Sequence, residues 1–174
     1  FAHTVGNGFS SASTPWLLAS GAIGMGLGDL GVFAALPLIG SRLSVLMTQC
    51  LAAPIAALFE WWWLGTALTG TQMFWGTVVL GGVALALMPS KSSPPRVPVR
   101  PIGFLFGFIG ALGQGIGAVI SRQGNFVALA AGEPAINGIT AAYHRICGGL
   151  VVVVLFYLLL AVLRRPATPA THPE

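Results

Sequence analysis

Five of the polar side chains within the apolar stretches of this chain are candidates for handling a solute or a proton, and their chemistry is the most informative feature of the sequence. They are Asp29, Gln49, Glu60, Gln114 and Arg145. A carboxyl group can exchange a proton, whereas an amide both donates and accepts hydrogen bonds. If the stretches span a membrane, an ionisable group near the bilayer centre costs about 2.5–3.5 kcal/mol on insertion scales. We therefore predict that these five residues line a pathway for a solute or for protons.

Asp29 is the most informative of the five, because it falls near the middle of its apolar stretch, residues 16–39. At ~1.5 Å per residue it would lie within a few Å of the bilayer centre, too deep to reach the headgroups. Ser20, Gly24 and Gly28 precede it at four-residue steps, a spacing that lets another helix approach closely. One interpretation is an acid that hydrogen-bonds a neighbouring helix. The interpretation that we favour is a role in handling a solute or a proton.

Gln49 and Glu60 share one face of the second apolar stretch with Ala53 and Ala56, because these positions follow steps of four, three and four. Two polar groups separated by small residues favour a helix that lines a cavity. Glu60 also lies close to the end of this stretch, beside the aromatic run at residues 61–63. A glutamate that extends to the headgroups therefore stays an equal alternative for that position.

Gln114 lies at the centre of a glycine stripe in the fourth stretch. The stripe runs through Gly103, Gly107, Gly110, Gln114, Gly117 and Ser121. Such a stripe is typical of close helix packing, with Gln114 as an interhelical hydrogen-bond donor. It would equally leave room for a ligand that Gln114 contacts.

Arg145 lies near the start of the last stretch. For this residue we favour a side chain that reaches the surface or pairs with an acid over one that binds substrate.

Five long apolar stretches must position these residues: 16–39, 43–64, 71–88, 102–120 and 139–163. Each is close to the ~17–25 residues that a helix needs to cross a hydrocarbon core of ~30 Å. The chain is 55% hydrophobic and only 7% charged, too apolar for a water-soluble domain whose helices need a polar face. The predicted fold class is all-α, a multi-spanning membrane protein with about five transmembrane helices.

Short polar or proline-rich segments separate the stretches. We predict a tight turn at residues 40–42, a capping box formed by Thr69 and Gln72, a kink at Pro54 and a polar connection at residues 124–138. A proline-rich linker, residues 90–101, divides residues 1–89 from residues 102–163, and residues 164–174 form a predicted disordered tail. Basic residues concentrate at the turn, the linker and the tail, which predicts that these face the cytoplasm.

Several classes of function find no support in this pattern. The sequence shows no nucleophile beside a base, no phosphate-binding loop and no cluster of metal ligands, so we expect no enzyme, no cofactor and no metal. The net charge is +4 without a basic cluster, so a nucleic-acid partner is not expected. The expected partners are the lipid bilayer and a small-molecule solute.

The order of these motifs resembles one known family. The relevant residues are Gly28-Asp29, residues 33–36, residues 39–41, Pro54, Leu64-Gly65, Gln72, residues 81–83, residues 102–122 and residues 141–149 with Arg145. Over nearly the whole chain this resembles an EamA-type transporter of the drug/metabolite transporter superfamily. One departure is Thr66, which stands where that family often has a glutamate.

The resemblance implies a ten-helix protein built from two inverted five-helix repeats, of which this chain would be a fragment spanning helices three to seven. It implies a multi-pass protein of the plasma membrane, in bacteria the inner membrane, that moves metabolites or drugs by alternating access. Asp29 would then be the residue that couples transport to protons. Family topology places the linker outside the cytoplasm, opposite to the charge pattern. The alternative function is a non-transporting membrane subunit or scaffold whose glycine stripes serve assembly.

Overall fold

A computed structural model describes residues 12–88 and 98–163, and all regular secondary structure in these residues is helical. The helices are α1 (Thr14–Gly21), a π-helical segment (Ala22–Gly28), α2 (Asp29–Leu64), α3 (Gly70–Leu87), α4 (Pro101–Ala130) and α5 (Gly138–Leu163). Residues 1–11, most of the proline-rich linker and the predicted tail lie outside the described residues.

Four continuous helical runs in the described residues are long and apolar enough to cross a membrane. The first of them, Thr14–Leu64, contains 51 residues and would be far longer than a bilayer core if it were straight. It is broken at Gly40, whose φ of 81° and ψ of 159° are not helical and suit a residue without Cβ. The break lies within the turn predicted at residues 40–42.

The chain reverses at Gly40, so that residues 14–39 (the first arm) and residues 41–64 (the second arm) form a hairpin. Trp16 and Trp63, near the two free ends of the hairpin, have ring centroids 5.9 Å apart. The first helical run therefore consists of two antiparallel segments of bilayer-spanning length, and with α3, α4 and α5 these give five candidate passes, in line with the number that the sequence predicts. The second arm continues through Pro54, where the backbone dihedral angles remain helical.

α4 packs against both arms through its glycine stripe. It runs antiparallel to the first arm, since a Cβ built on Gly103 would meet Leu38 and Ile39, whereas one on Gly124 would meet Trp16. The hydroxyl of Ser20 donates a buried hydrogen bond of 2.6 Å to the carbonyl oxygen of Gly117. The close helix packing predicted for this stripe is confirmed.

α5 lies against a different side of the first arm from α4, and here too backbone meets backbone. A Cβ built on Gly21 would lie 1.9 Å from the carbonyl oxygen of Arg145, and one on Gly148 would lie 2.1 Å from that of Leu18. Such distances are far inside van der Waals contact, so both positions require glycine. The first arm is thus the central element, with α4 on one side and α5 on the other.

α4 continues to Ala130, whereas the fourth apolar stretch was predicted to end at residue 120. The predicted polar connection at residues 124–138 is therefore wrong for its first half, and the connection spans residues 131–137. The reason is that Gly124 is a packing residue beside Trp16 and Ser13, and the apolar residues Phe126, Val127 and Leu129 continue the helix.

α3 begins with the predicted capping box, which the structure confirms. The backbone N–H of Thr69 donates to Oε1 of Gln72 at 2.9 Å, and the backbone N–H of Gln72 donates to Oγ1 of Thr69 at 3.4 Å. α3 buries none of its own residues and exposes Met73, Phe74 and Trp75. In a membrane this surface meets lipid or further helices.

We predict that Gly21→Ala lowers the free energy of unfolding by about 3 kcal/mol, the upper part of the usual range for overpacking, because its Cβ would meet backbone that cannot rotate away. Gly81→Ala, in α3, is the matched control, since its Cβ would meet nothing within 4 Å. That variant should be neutral or stabilised by about 0.5–1 kcal/mol. Reversible unfolding in mixed micelles, followed by tryptophan fluorescence, measures both, and equal stability of the two variants would contradict the packing described.

Candidate functional site

Asp29 and Gln114 form a hydrogen bond between the first arm and α4. Nε2 of Gln114 donates to Oδ1 of Asp29 at 3.1 Å, and both side chains are half-buried. Each residue lies close to the middle of its pass, so the pair sits near the centre of the apolar layer. The interhelical hydrogen bond that the sequence offered as one interpretation of both residues is therefore present.

The pair lies where three helical segments meet. On one side of Gln114, a Cβ built on Gly113 would lie 2.6 Å from Cα of Gly28 in the first arm. On the other side, a Cβ built on Gly115 would lie 2.7 Å from the carbonyl oxygen of Ala52 in the second arm. Gln114 therefore projects between the two arms, and Asp29 borders the same junction.

The carboxylate of Asp29 is only partly satisfied. Within the described residues, the bond from Gln114 is the one polar contact made by this side chain, and it involves one of the two oxygens. The other oxygen has no hydrogen-bond partner in the described residues, but it is not fully buried by them. An acid in this position is stable in a bilayer when water, a solute or another polar group can reach it.

Gln49 lies apart from this pair, on an exposed face of the second arm together with Ala53. The buried residues of this arm are instead Ser44 and Thr48, whose hydroxyls bond carbonyl oxygens one turn earlier. Asp29 and Gln114 are thus brought together, whereas Gln49 is not brought to them. Its predicted role in the pathway stays a prediction.

Glu60 forms an ion pair with Arg122 of α4 at the Trp16 end of the bundle. The side chain of Glu60 is 17% exposed and that of Arg122 is 48% exposed, which is consistent with a position near the membrane surface. The guanidinium also lies 5.4 Å from the ring centroid of Phe126. An ion pair of this exposure contributes at most about 1 kcal/mol. The sequence placed Glu60 at this end but did not identify its partner.

Aromatic rings cover the hairpin ends beside this ion pair. The ring centroid of Phe59 lies 5.4 Å from that of Trp63 and 5.9 Å from that of Trp62. The ring of Trp63 in turn contacts that of Trp16. At the Trp16 end, the two arms and α4 are therefore held together by aromatic side chains and by the Glu60–Arg122 ion pair. At the other end, the backbone N–H of Arg100 donates to the carbonyl oxygen of Leu38 at 2.8 Å.

Arg145 has its backbone beside Gly21 and its guanidinium beside Gly24. The point that a Cβ on Gly24 would occupy lies 3.6 Å from Nη2 of Arg145 and 3.6 Å from the carbonyl oxygen of Gly113. In the described part of the chain the side chain makes no ion pair. Of the two roles favoured from sequence, pairing with an acid is therefore absent from the described residues, and reaching the surface stays a prediction.

The π-helical segment immediately before Asp29 was missed from sequence. It contains three buried glycines, Gly24, Gly26 and Gly28, at alternate positions. Glycine stabilises an α-helix least among residues other than proline, so this run was the available signal. Single-turn π-helices are frequent at functional sites, because they shift the register of the residues that follow.

An open apolar groove of about 320 Å³ lies between the second arm and α4. It is lined by Ile55, Leu58, Phe59, Trp62, Leu112 and Ile116. This lining suits an acyl chain or a helix rather than a polar solute. Among the described residues, no group of three or more His, Cys, Asp and Glu side chains could hold a metal ion.

Comparison of this chain with models of protein families, with curated proteins and with solved structures gives no match. The candidate site is therefore defined by its own geometry.

We predict that a double-mutant cycle with Asp29→Ala and Gln114→Ala gives a coupling free energy of about 0.5–1.7 kcal/mol, the range for hydrogen bonds between membrane helices. Unfolding in mixed micelles measures it. As a control, Gln49→Ala should be additive with Asp29→Ala, because Gln49 lies on another face. A cycle that gives no coupling between Asp29 and Gln114 would contradict the bond.

Proposed function

We propose that this chain forms part of an integral membrane transporter that carries a small metabolite or drug-like solute by alternating access. One observation supports the proposal: a carboxyl group with one unbonded oxygen, only partly buried, lies midway along the first arm at the junction of three helical segments. An acid that served packing alone would be expected to have both oxygens bonded, since an unsatisfied polar group is costly in hydrocarbon.

The surrounding packing supports motion around this point. The first arm and α4 meet through Gly24, Gly28, Gly113 and Gly117, and small residues leave smooth surfaces that can slide. The π-helical segment and Gly40 give the first arm two places where its backbone departs from α-helix. In this proposal the aromatic rings and the Glu60–Arg122 pair close one end of the path.

The larger architecture belongs to the same proposal. The chain would be a piece of a ten-helix protein with two inverted repeats, placed in a plasma membrane. The exposed apolar surfaces of α3 and α5 supply surface against which further helices could pack. Transport by such proteins takes place at the interface between repeats, near the midplane.

The close backbone-to-backbone packing at Gly21 and Gly148 favours a second function. A subunit or scaffold that only assembles would use such contacts, with Asp29 and Gln114 serving each other. The two functions differ in whether water reaches Asp29, and this is measurable.

We predict that Asp29→Cys, made in a background with Cys50 and Cys147 replaced by Ala, is labelled in proteoliposomes by a membrane-impermeant thiol reagent. Labelling requires the thiolate, which forms in water but not in hydrocarbon. Phe33→Cys, one turn away at a position whose side chain is 65% exposed on the outside of the bundle, is the matched control and should stay unlabelled. Protection of both positions would favour the scaffold and exclude a wet path.

We also predict that Asp29→Asn flattens the pH dependence of solute transport by the complete protein in proteoliposomes. The substitution keeps an oxygen for Gln114 but removes the group that exchanges protons. Asp29→Glu retains a carboxyl group and should retain a pH-dependent rate. If Asp29→Asn has the pH profile of the unaltered protein, Asp29 does not couple transport to protons.

A further inference from the structure

Arg145 carries a charge inside the bundle that the described residues do not neutralise. Its Nε is buried without a hydrogen-bond partner, and the ion pair present in the described residues is that of Glu60 with Arg122. The two Nη atoms make no hydrogen bond there, and neither belongs to the fully buried, unpartnered atoms. The outer edge of the guanidinium is therefore not fully enclosed by the described residues.

The direction of the Arg145 side chain is also informative. The backbone of Arg145 contacts Gly21, whereas its Nη2 lies beside Gly24, three residues further along the first arm toward Asp29. The side chain therefore reaches past Gly21 toward the contact between the first arm and α4. An arginine that merely avoided the hydrocarbon would extend to the nearer surface.

The surroundings of the guanidinium near the first arm are backbone. The point that a Cβ on Gly24 would occupy lies 3.6 Å from Nη2 of Arg145, 3.5 Å from Cα of Gly117 and 3.6 Å from the carbonyl oxygen of Gly113. These are ordinary van der Waals distances, whereas a Cβ built on Gly113 would lie 2.6 Å from backbone. The position at Gly24, next to the cation, therefore has room for a methyl group within otherwise tight packing.

We propose that Arg145 binds the anionic group, a carboxylate or a phosphate, of the transported solute. A guanidinium recognises either group through paired, charge-assisted hydrogen bonds, which are strong where water is scarce. The assignment rests on the proposed function, because it places the anion on the path that leads to Asp29. Gly24 and Asp29 are five residues apart, at most about 7.5 Å along the axis because the π-helical segment between them rises less per residue than an α-helix, so the acid and the anion occupy separate parts of that path.

The test uses purified chain in lipid-free detergent, with inorganic phosphate and acetate as probes and chloride at matched ionic strength as the blank. We expect one or both probes to raise the thermal midpoint saturably. Arg145→Gln should weaken the apparent affinity at least about tenfold, because it loses a charge-assisted pair, and Arg145→Lys should weaken it less. Arg122→Gln removes an arginine at the same end of the bundle and is the matched control; its affinity for the probe should be unchanged.

A lipid headgroup presents the same phosphate chemistry, so a second arm repeats the measurement in phosphatidylcholine nanodiscs with and without phosphatidylglycerol. Stabilisation by phosphatidylglycerol alone, with none by the free anions, would overturn the assignment to a solute. An equal effect of Arg145→Gln and Arg122→Gln, or no saturable stabilisation, would overturn it as well. Thiol labelling at position 29 decides the wet path independently, so the anion site can fail while the transporter proposal survives.

Discussion

The distance between the first arm and α4 is the constraint on which the rest of this structure depends. Lipid supplies no hydrophobic drive for helix association, so two membrane helices must gain from backbone contact and from hydrogen bonds. Here the glycines of both helices let the backbones meet, with the Ser20 to Gly117 bond in the interior. The Asp29–Gln114 bond spans only 3.1 Å because this approach is so close.

The first arm combines two kinds of contact on its two sides. Toward α4 it presents Ser20, Gly24 and Gly28, and toward α5 it presents Gly21 and Gly26. An α-helix with glycine at alternate positions is weak, and the segment between these contacts is a π-helix. The site residues Asp29 and Arg145 lie on either side of that segment, so a change in its register would move one relative to the other.

Local and periodic features of this fold could be predicted from sequence, because they depend on residues that are neighbours along one helix. The five passes, the reversal near Gly40, the capping box at Thr69 and the packing stripe of α4 belong to this group. The contact of Gln114 with another helix was foreseen as one of two interpretations, but its partner was not, because pairing depends on how deeply two helices slide past each other.

Features that depend on tertiary contacts could not be predicted from the local sequence. Gly124 looked like a loop residue until Trp16 was found against it, which explains why α4 continues to Ala130. Glu60 and Arg122 are 62 positions apart, and nothing in either local sequence indicates the pair. Arg145 has the sequence position of an anchoring arginine, and its approach to Gly24 depends on contacts between three helices that local sequence does not reveal.

Water-edited solid-state NMR of the chain in lipid bilayers tests the central claim most directly, by timing magnetisation transfer from water to individual side chains. If water reaches Asp29, we expect its side chain to receive magnetisation about as fast as Thr69 at a helix end, and far faster than Phe33. Transfer to Asp29 as slow as that to Phe33 would mean that the acid sits in a dry contact, and the transporter proposal would then be wrong.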